Sequence, residues 1–150
     1  MSRHWLMKSE PEVFSIGHLR KKGTAGWDGV RNYQARNFMK EMAVGDRAFF
    51  YHSNAEPSGI AGVMEIARTA YPDPTQFDKN DVHFEPRSTS AAPLWFQVDV
   101  KFVAAFPRLI ALPELRRVPA LKNMALFKLS RLSVQPVTDA EWRAVVAEAR

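Results

Sequence analysis

The chain has 150 residues, with 21 Lys and Arg against 16 Asp and Glu, a net charge of +5 and no cysteine. The length fits one domain spanning 1–150. The missing thiols exclude disulfide scaffolds, cysteine-based zinc sites, iron–sulfur clusters and thiol nucleophiles, and 46% hydrophobic residues exclude intrinsic disorder. No apolar run reaches the ~20 residues of a membrane helix, and the opening Met1-Ser2-Arg3-His4 lacks a signal-peptide core, so the expectation is a cytoplasmic protein with no membrane partner.

His4–Lys8 reads as a strand closed by Glu10-Pro11, because a residue before proline avoids the helical region. Ser15 is placed to cap a helix from Ile16 to Lys22 that Gly23 ends. Trp27-Asp28-Gly29 reads as a turn, and Asn32 caps a helix running to about Met42, with Tyr33, Phe38, Met39 and Met42 as its apolar stripe. Arg47–His52 and Gly59–Ala70 read as strands joined by the loop Asn54–Ser58. Pro72–Pro93 is polar and unpatterned, with one short strand expected near Val82–Phe84. From Leu94 to Phe106, Phe96, Val98, Val100 and Phe102 alternate with Gln97, Asp99 and Lys101, a period-two strand. Leu112–Arg117 and Ala120–Met124 read as helical turns, and Ser133–Gln135 as a last strand stopped by Pro136. Thr138-x-x-Glu141 is a capping box opening a helix that buries Trp142, Val145 and Val146. The sum is α+β: a curved, mostly antiparallel sheet with helices packed at its ends.

Charge is uneven along the chain. Residues 1–50 hold nine basic and five acidic side chains, 51–100 three and seven, and 101–150 nine and four. If the outer thirds meet in the fold, one face turns positive and attracts polyanions; otherwise the charges are a solvated surface. There is no phosphate-cradling glycine loop, dinucleotide fingerprint or GxSxG elbow. The four histidines, His4, His18, His52 and His83, are dispersed, and the acidic run from Asp73 to Asp81 lacks the central glycine of a calcium loop. His52 and Ser53, as strand neighbours, point to opposite faces and are not a base–nucleophile pair. No catalytic residue, metal or cofactor is assigned, and a binding module outweighs an enzyme.

Five segments occur in order: Trp5–Pro11, Trp27–Met39, Phe49–Ser53, Gly59–Gly62 and Ser130–Val137. Together they resemble the EVE domain family over essentially the whole chain. The resemblance implies a PUA-like pseudo-β-barrel, related to the YTH, ASCH and SRA-type readers. It implies a nucleic-acid partner, DNA or RNA carrying a modified base, with modified cytosine the leading candidate, and a functional association with nucleases. The family pattern carries glycine where this chain has Leu129, which bears on the local turn.

On that footing the expected base pocket comprises Trp27, Lys8, Ser9, Asn32, Ser53, Leu132 and Ser133. Trp27 is its aromatic wall by likeness to the YTH readers; without the family it reads as a core residue. Lys8, Ser9 and Asn32 face the base edge, since an amide both donates and accepts; Asn32 reads equally as a helix cap, and Ser9 as a group bonding its own turn. Arg131 is the expected phosphate contact, with Arg31 and Arg36 behind it, and Arg36 alternatively only the outer face of its helix. Trp95 is a second wall or a packing residue; Trp5 and Trp142 belong to the core. The alternative reading is an ASCH-like hydrolase or nuclease, in which Lys8 and Glu10 would supply acid–base chemistry.

Overall fold

The computed structural model describes residues 2–150. In chain order it holds β1 (His4–Ser9), α1 (Ile16–Lys22), β2 (Thr24–Gly26), α2 (Tyr33–Glu41), β3 (Arg47–His52), β4 (Gly59–Pro72), β5 (Phe96–Ala111), α3 (Leu112–Arg116), α4 (Ala125–Lys128), β6 (Val134–Val137) and α5 (Asp139–Glu148), with 3₁₀ turns at Pro74–Phe77 and Pro119–Leu121. The strands form one sheet in the order β2-β5-β4-β3-β1-β6. Among the described residues only β1 and β3 pair in parallel; the other neighbours are antiparallel.

Alternation along each strand sends neighbouring side chains to opposite faces, and both faces are covered. Trp5, Met7, Phe50, Met64, Ile66, Val98 and Val100 enter one core with Leu19 of α1 and Ala35 and Met39 of α2. Leu6, Phe49, Tyr51, Ile60, Val63 and Ile110 enter the other, with Leu115 of α3, Leu126 of α4 and Val145 of α5. The expected caps form: Ser15 and Thr138 each close a capping box, and Asn32 accepts from the Ala35 N–H. Trp5 is fully buried and donates its indole N–H to Asp46 at 3.0 Å. Trp142, partly buried, stacks between His4 and Phe49.

Several elements differ from the sequence expectation. β2 has three residues, too few to show a period. Val82–Phe84 is a turn, not a strand. β5 starts at Phe96 and continues through Pro107, because the pairing jumps from Gly62↔Ala105 to Ile60↔Ile110 and the proline falls in that irregularity. Pro136 lies inside β6 opposite Trp5, where the missing N–H can face away from the sheet because β6 is an edge strand. Arg131 and Ser133 therefore precede β6 and do not share one of its faces. Helix α4 was not foreseen, and the turn expected at Ala120–Met124 is the 3₁₀ turn Pro119–Leu121. Leu129, at the end of α4, has φ −123°, so the turn needs no glycine there.

Candidate functional site

A cleft of about 590 Å³ opens between the end of β1 and the edge strand β2. β1 contributes Lys8 and Ser9, β2 contributes Ala25 and Gly26, and the residue before β6, Ser133, completes that wall. Backbone bonds extend both edges into it: the Trp27 N–H donates to the Val98 carbonyl at 2.8 Å, and the Lys8 N–H to that of Ser133 at 2.9 Å. The turn Trp27–Arg31 forms the floor, His83 covers it from the long loop after β4, and Val82 of that loop stands at the mouth.

Trp27 is both core and wall. It is 6% exposed, held edge-on by Phe50 (5.3 Å) and Phe14 (6.3 Å), and lines the cleft. The hollow expected beside this indole is present. Truncating Trp27 would open the core and cost about 3–5 kcal/mol of stability, so Trp27→Ala would not test base recognition with the fold intact.

Lys8 donates to the Ser130 carbonyl at 2.7 Å and lies 5.7 Å from the centre of the Tyr51 ring; partial burial lowers its pKa from the usual lysine value. Ser9 donates to the Phe14 carbonyl at 2.7 Å, so its oxygen retains acceptor capacity toward the cleft. The Ser133 hydroxyl makes no hydrogen bond among the described residues. Glu10 lines the cleft but accepts from Asn54 at 3.2 Å, and no ion pair joins it to Lys8 among the described residues. His52 accepts from the Ile16 N–H at 3.1 Å, a helix-orienting role, and burial lowers its pKa.

The other expected pocket residues lie outside this lining. Asn32 is exposed, with its side-chain oxygen occupied in capping α2 at 2.9 Å. Ser53 follows β3, its N–H bonded to the Ser9 carbonyl. Leu132 is buried in the core beneath Ser133, since an aliphatic side chain next to the two cores packs inward.

Arg131 is exposed and free of salt bridges among the described residues, on the turn that Lys8 grips through Ser130. Arg31 lines the cleft but is spent as a brace. It donates to the His83 carbonyl from Nε (3.2 Å) and Nη2 (2.8 Å), and to Asp73 (3.1 Å) and Thr75 (3.0 Å), with its guanidinium 5.4 Å from the centre of Trp95. Arg36 donates to the Leu94 carbonyl at 3.0 Å and lies over Tyr33. Trp95 is buried, bonded to Glu85 and stacked on Tyr33, and is not a wall of the cleft.

Asp28, His83 and Val82 were not singled out from the sequence. Asp28 follows Trp27 in the turn and remains exposed at the cleft; partial desolvation there, and then the Asp73 carboxylate, raise its pKa from the usual carboxylate value. The His83 ring covers Gly29, where a Cβ would meet it at 2.8 Å. Gly29 has φ +77°, a left-handed conformation that glycine adopts without strain. A turn motif flanked by tryptophan was visible in the sequence; the loop that closes over it was not. Among the described residues no group of three or more His, Cys, Asp or Glu is placed to hold a metal ion, and no helix is long and apolar enough to cross a membrane.

A family model, the EVE domain, matches residues 3–148. The chain is 49% identical to thymocyte nuclear protein 1 of Homo sapiens over 166 aligned positions, which cover 98% of this chain and 74% of that protein. Its structure is similar to that of human THYN1 protein in complex with 5-methylcytosine-containing DNA, with a TM-score of 0.96 at 48% identity over 99% of this chain and 98% of that one. A hypothetical protein from Leishmania major gives a TM-score of 0.97 at 47% identity, over 99% and 95% of the two chains.

Proposed function

The chain belongs to the EVE domain family, with its PUA-like α+β fold, and from that premise we propose that it reads a modified cytosine in DNA by drawing the base into the Trp27 cleft. The observation that carries this reading is the pairing of Trp27 and Asp28 in one cleft: an aromatic wall beside a carboxylate. Cytosine offers an exocyclic amine as a donor, and a carboxylate accepts from it. Extrusion of a paired base costs a few kcal/mol, which stacking and edge contacts offset. The similar human protein bound to 5-methylcytosine DNA supports the choice of base and of DNA over RNA.

A methyl on the cytosine ring adds apolar surface. Phe14, Ala25 and Val30 are the apolar members of the lining near Trp27, and burying one methyl against them is worth about 0.8 kcal/mol, a several-fold preference. Lys8, Ser9 and Ser133 supply the donors and acceptors for the rest of the base and its sugar. Arg131 takes a backbone phosphate.

Calorimetry with methylated and plain versions of one DNA oligomer, and the same sequence as RNA, tests the reading. Methylated DNA should bind most tightly. Asp28→Ala should lose roughly ten-fold or more in affinity, the worth of one good base-edge contact. Equal binding of methylated and plain DNA by the wild type would remove the modified-base reading.

A further inference from the structure

Two large aliphatic side chains stand in solvent at the mouth of this cleft. Val82 is 93% exposed and Val13 77% exposed, and both belong to the cleft lining. Single exposed valines are ordinary on a protein surface. Here two from separate segments, the two most exposed of the described large hydrophobics, stand at the rim of one hollow, each on a turn fixed by hydrogen bonds.

The turn bearing Val82 is fixed on both sides. On one side Asp81 donates its N–H to the Asp78 carbonyl at 3.0 Å and accepts from the His83 N–H at 2.8 Å. On the other, Arg31 forks onto the His83 carbonyl and ties it to buried Asp73. Val13 sits on a turn where its own N–H and that of Phe14 both donate to the Glu10 carbonyl, at 3.0 and 2.9 Å. Valine has a stiff χ1, so little freedom remains to be lost when such a tip meets a partner.

A base drawn out of a duplex leaves a gap flanked by the apolar faces of its neighbours. An aliphatic wedge that enters the stack keeps the gap open and covers those faces. We propose that Val82, with Val13 as a second contact, is such a wedge, entering the base stack beside the target nucleotide. The proposal rests on the base-reading function above and adds where duplex opening is assisted. It gives Arg31 its role as well: the guanidinium positions the wedge instead of holding a phosphate.

The test compares wild type, Val82→Ala, Val82→Ser and Val13→Ala on one 5-methylcytosine strand, presented single-stranded, in a matched duplex, and in a duplex with the target base mispaired. Both valines are exposed, so the variants should melt with the wild type. Losing two methyl groups from the wedge should weaken matched-duplex binding by about ten-fold for Val82→Ala. Single-strand binding should stay within about two-fold, as for an ordinary surface substitution, and the mispaired duplex should fall between. A 2-aminopurine beside the target base should brighten on wild-type binding and brighten less with Val82→Ala. An equal loss on single strand and duplex, or no loss on either, overturns the wedge. In both cases a preserved preference for methylated single strand keeps the pocket reading intact. A wild type with no such preference sinks the pocket reading, and one that keeps it on single strand but binds no duplex overturns the wedge alone.

Discussion

Asp28 occupies a position that stability alone disfavours. Asp28 is exposed at the cleft, but partial desolvation there, and then the nearby buried carboxylate of Asp73, raise its pKa above the value in the unfolded chain. A folded-state pKa above the unfolded one means the native state binds the proton more tightly, so this group's contribution to stability falls as pH rises through that range. Ionising the group in the folded chain is therefore unfavourable, a cost consistent with a group kept for recognition. Asp28→Asn should raise the melting temperature at neutral pH, and the gain should vanish at low pH, where Asp28 is already protonated. Thermal melts across the pH range read this directly. A fall in melting temperature at neutral pH would make Asp28 structural. Trp27 and Lys8 line the cleft as expected from the residue types the family resemblance implies, an aromatic wall and a polar donor. Asp28 reads in the sequence only as part of a turn, because its surroundings are set by His83 and Asp73, more than forty residues away.

The segment between β4 and β5 shows why pattern failed there. Its polar residues do not face water in a periodic way; they satisfy one another. Buried Gln76 donates to the Asp73 and Trp95 carbonyls at 2.8 and 2.7 Å and accepts from Ser88 and the Leu94 and Trp95 N–H groups. Buried Asp73 accepts from Thr75, from Arg31 and from the Gly29 N–H at 2.8 Å, which fastens the loop to the cleft floor. Such a network has no hydrophobic period to read, whereas β5 announced itself by alternation over Phe96–Phe102. Burial pushes the Asp73 carboxyl up, but the bonds from Thr75, Gly29 and Arg31 outweigh it and hold the pKa below the usual value. A depressed folded pKa stabilises above the unfolded value and is lost as pH falls through the folded one. Asp73→Asn leaves the Arg31 guanidinium without its anion and should destabilise by about 3 kcal/mol, a drop of roughly 10 °C in melting temperature for a chain of this size. It should also flatten the loss of stability in strong acid, as denaturant titrations at several pH values would show. Unchanged stability would mean that Arg31 alone holds the loop.

At the scale of the molecule, β1 from the first third pairs with β6 from the last. The two basic thirds therefore do join in the fold, and the cleft opens at that junction, with Lys8 and Lys22 in its lining. The acidic middle third cancels part of the outer charge, pairing Asp73 with Arg31 at 3.1 Å and Glu65 with Lys101 at 3.1 Å, while Glu85 pairs within its own third with Arg87 at 3.0 Å, which holds the Glu85 pKa down to about 2; among the described residues Lys8 and Lys22 have no such partner. Arg131 and Arg31 differ most sharply here, one exposed, the other locked in a brace. Phosphate contact releases counterions, so affinity for duplex DNA should fall with salt at a slope of about 0.9 per phosphate neutralised. Arg131→Ala should reduce that slope by about 1 and weaken methylated and plain DNA alike, because a phosphate contact carries no base information. A titration of affinity against salt for both oligomers makes the measurement. A slope unchanged by Arg131→Ala would move the phosphate contact elsewhere, and a loss confined to methylated DNA would put Arg131 in the base pocket instead of on its rim.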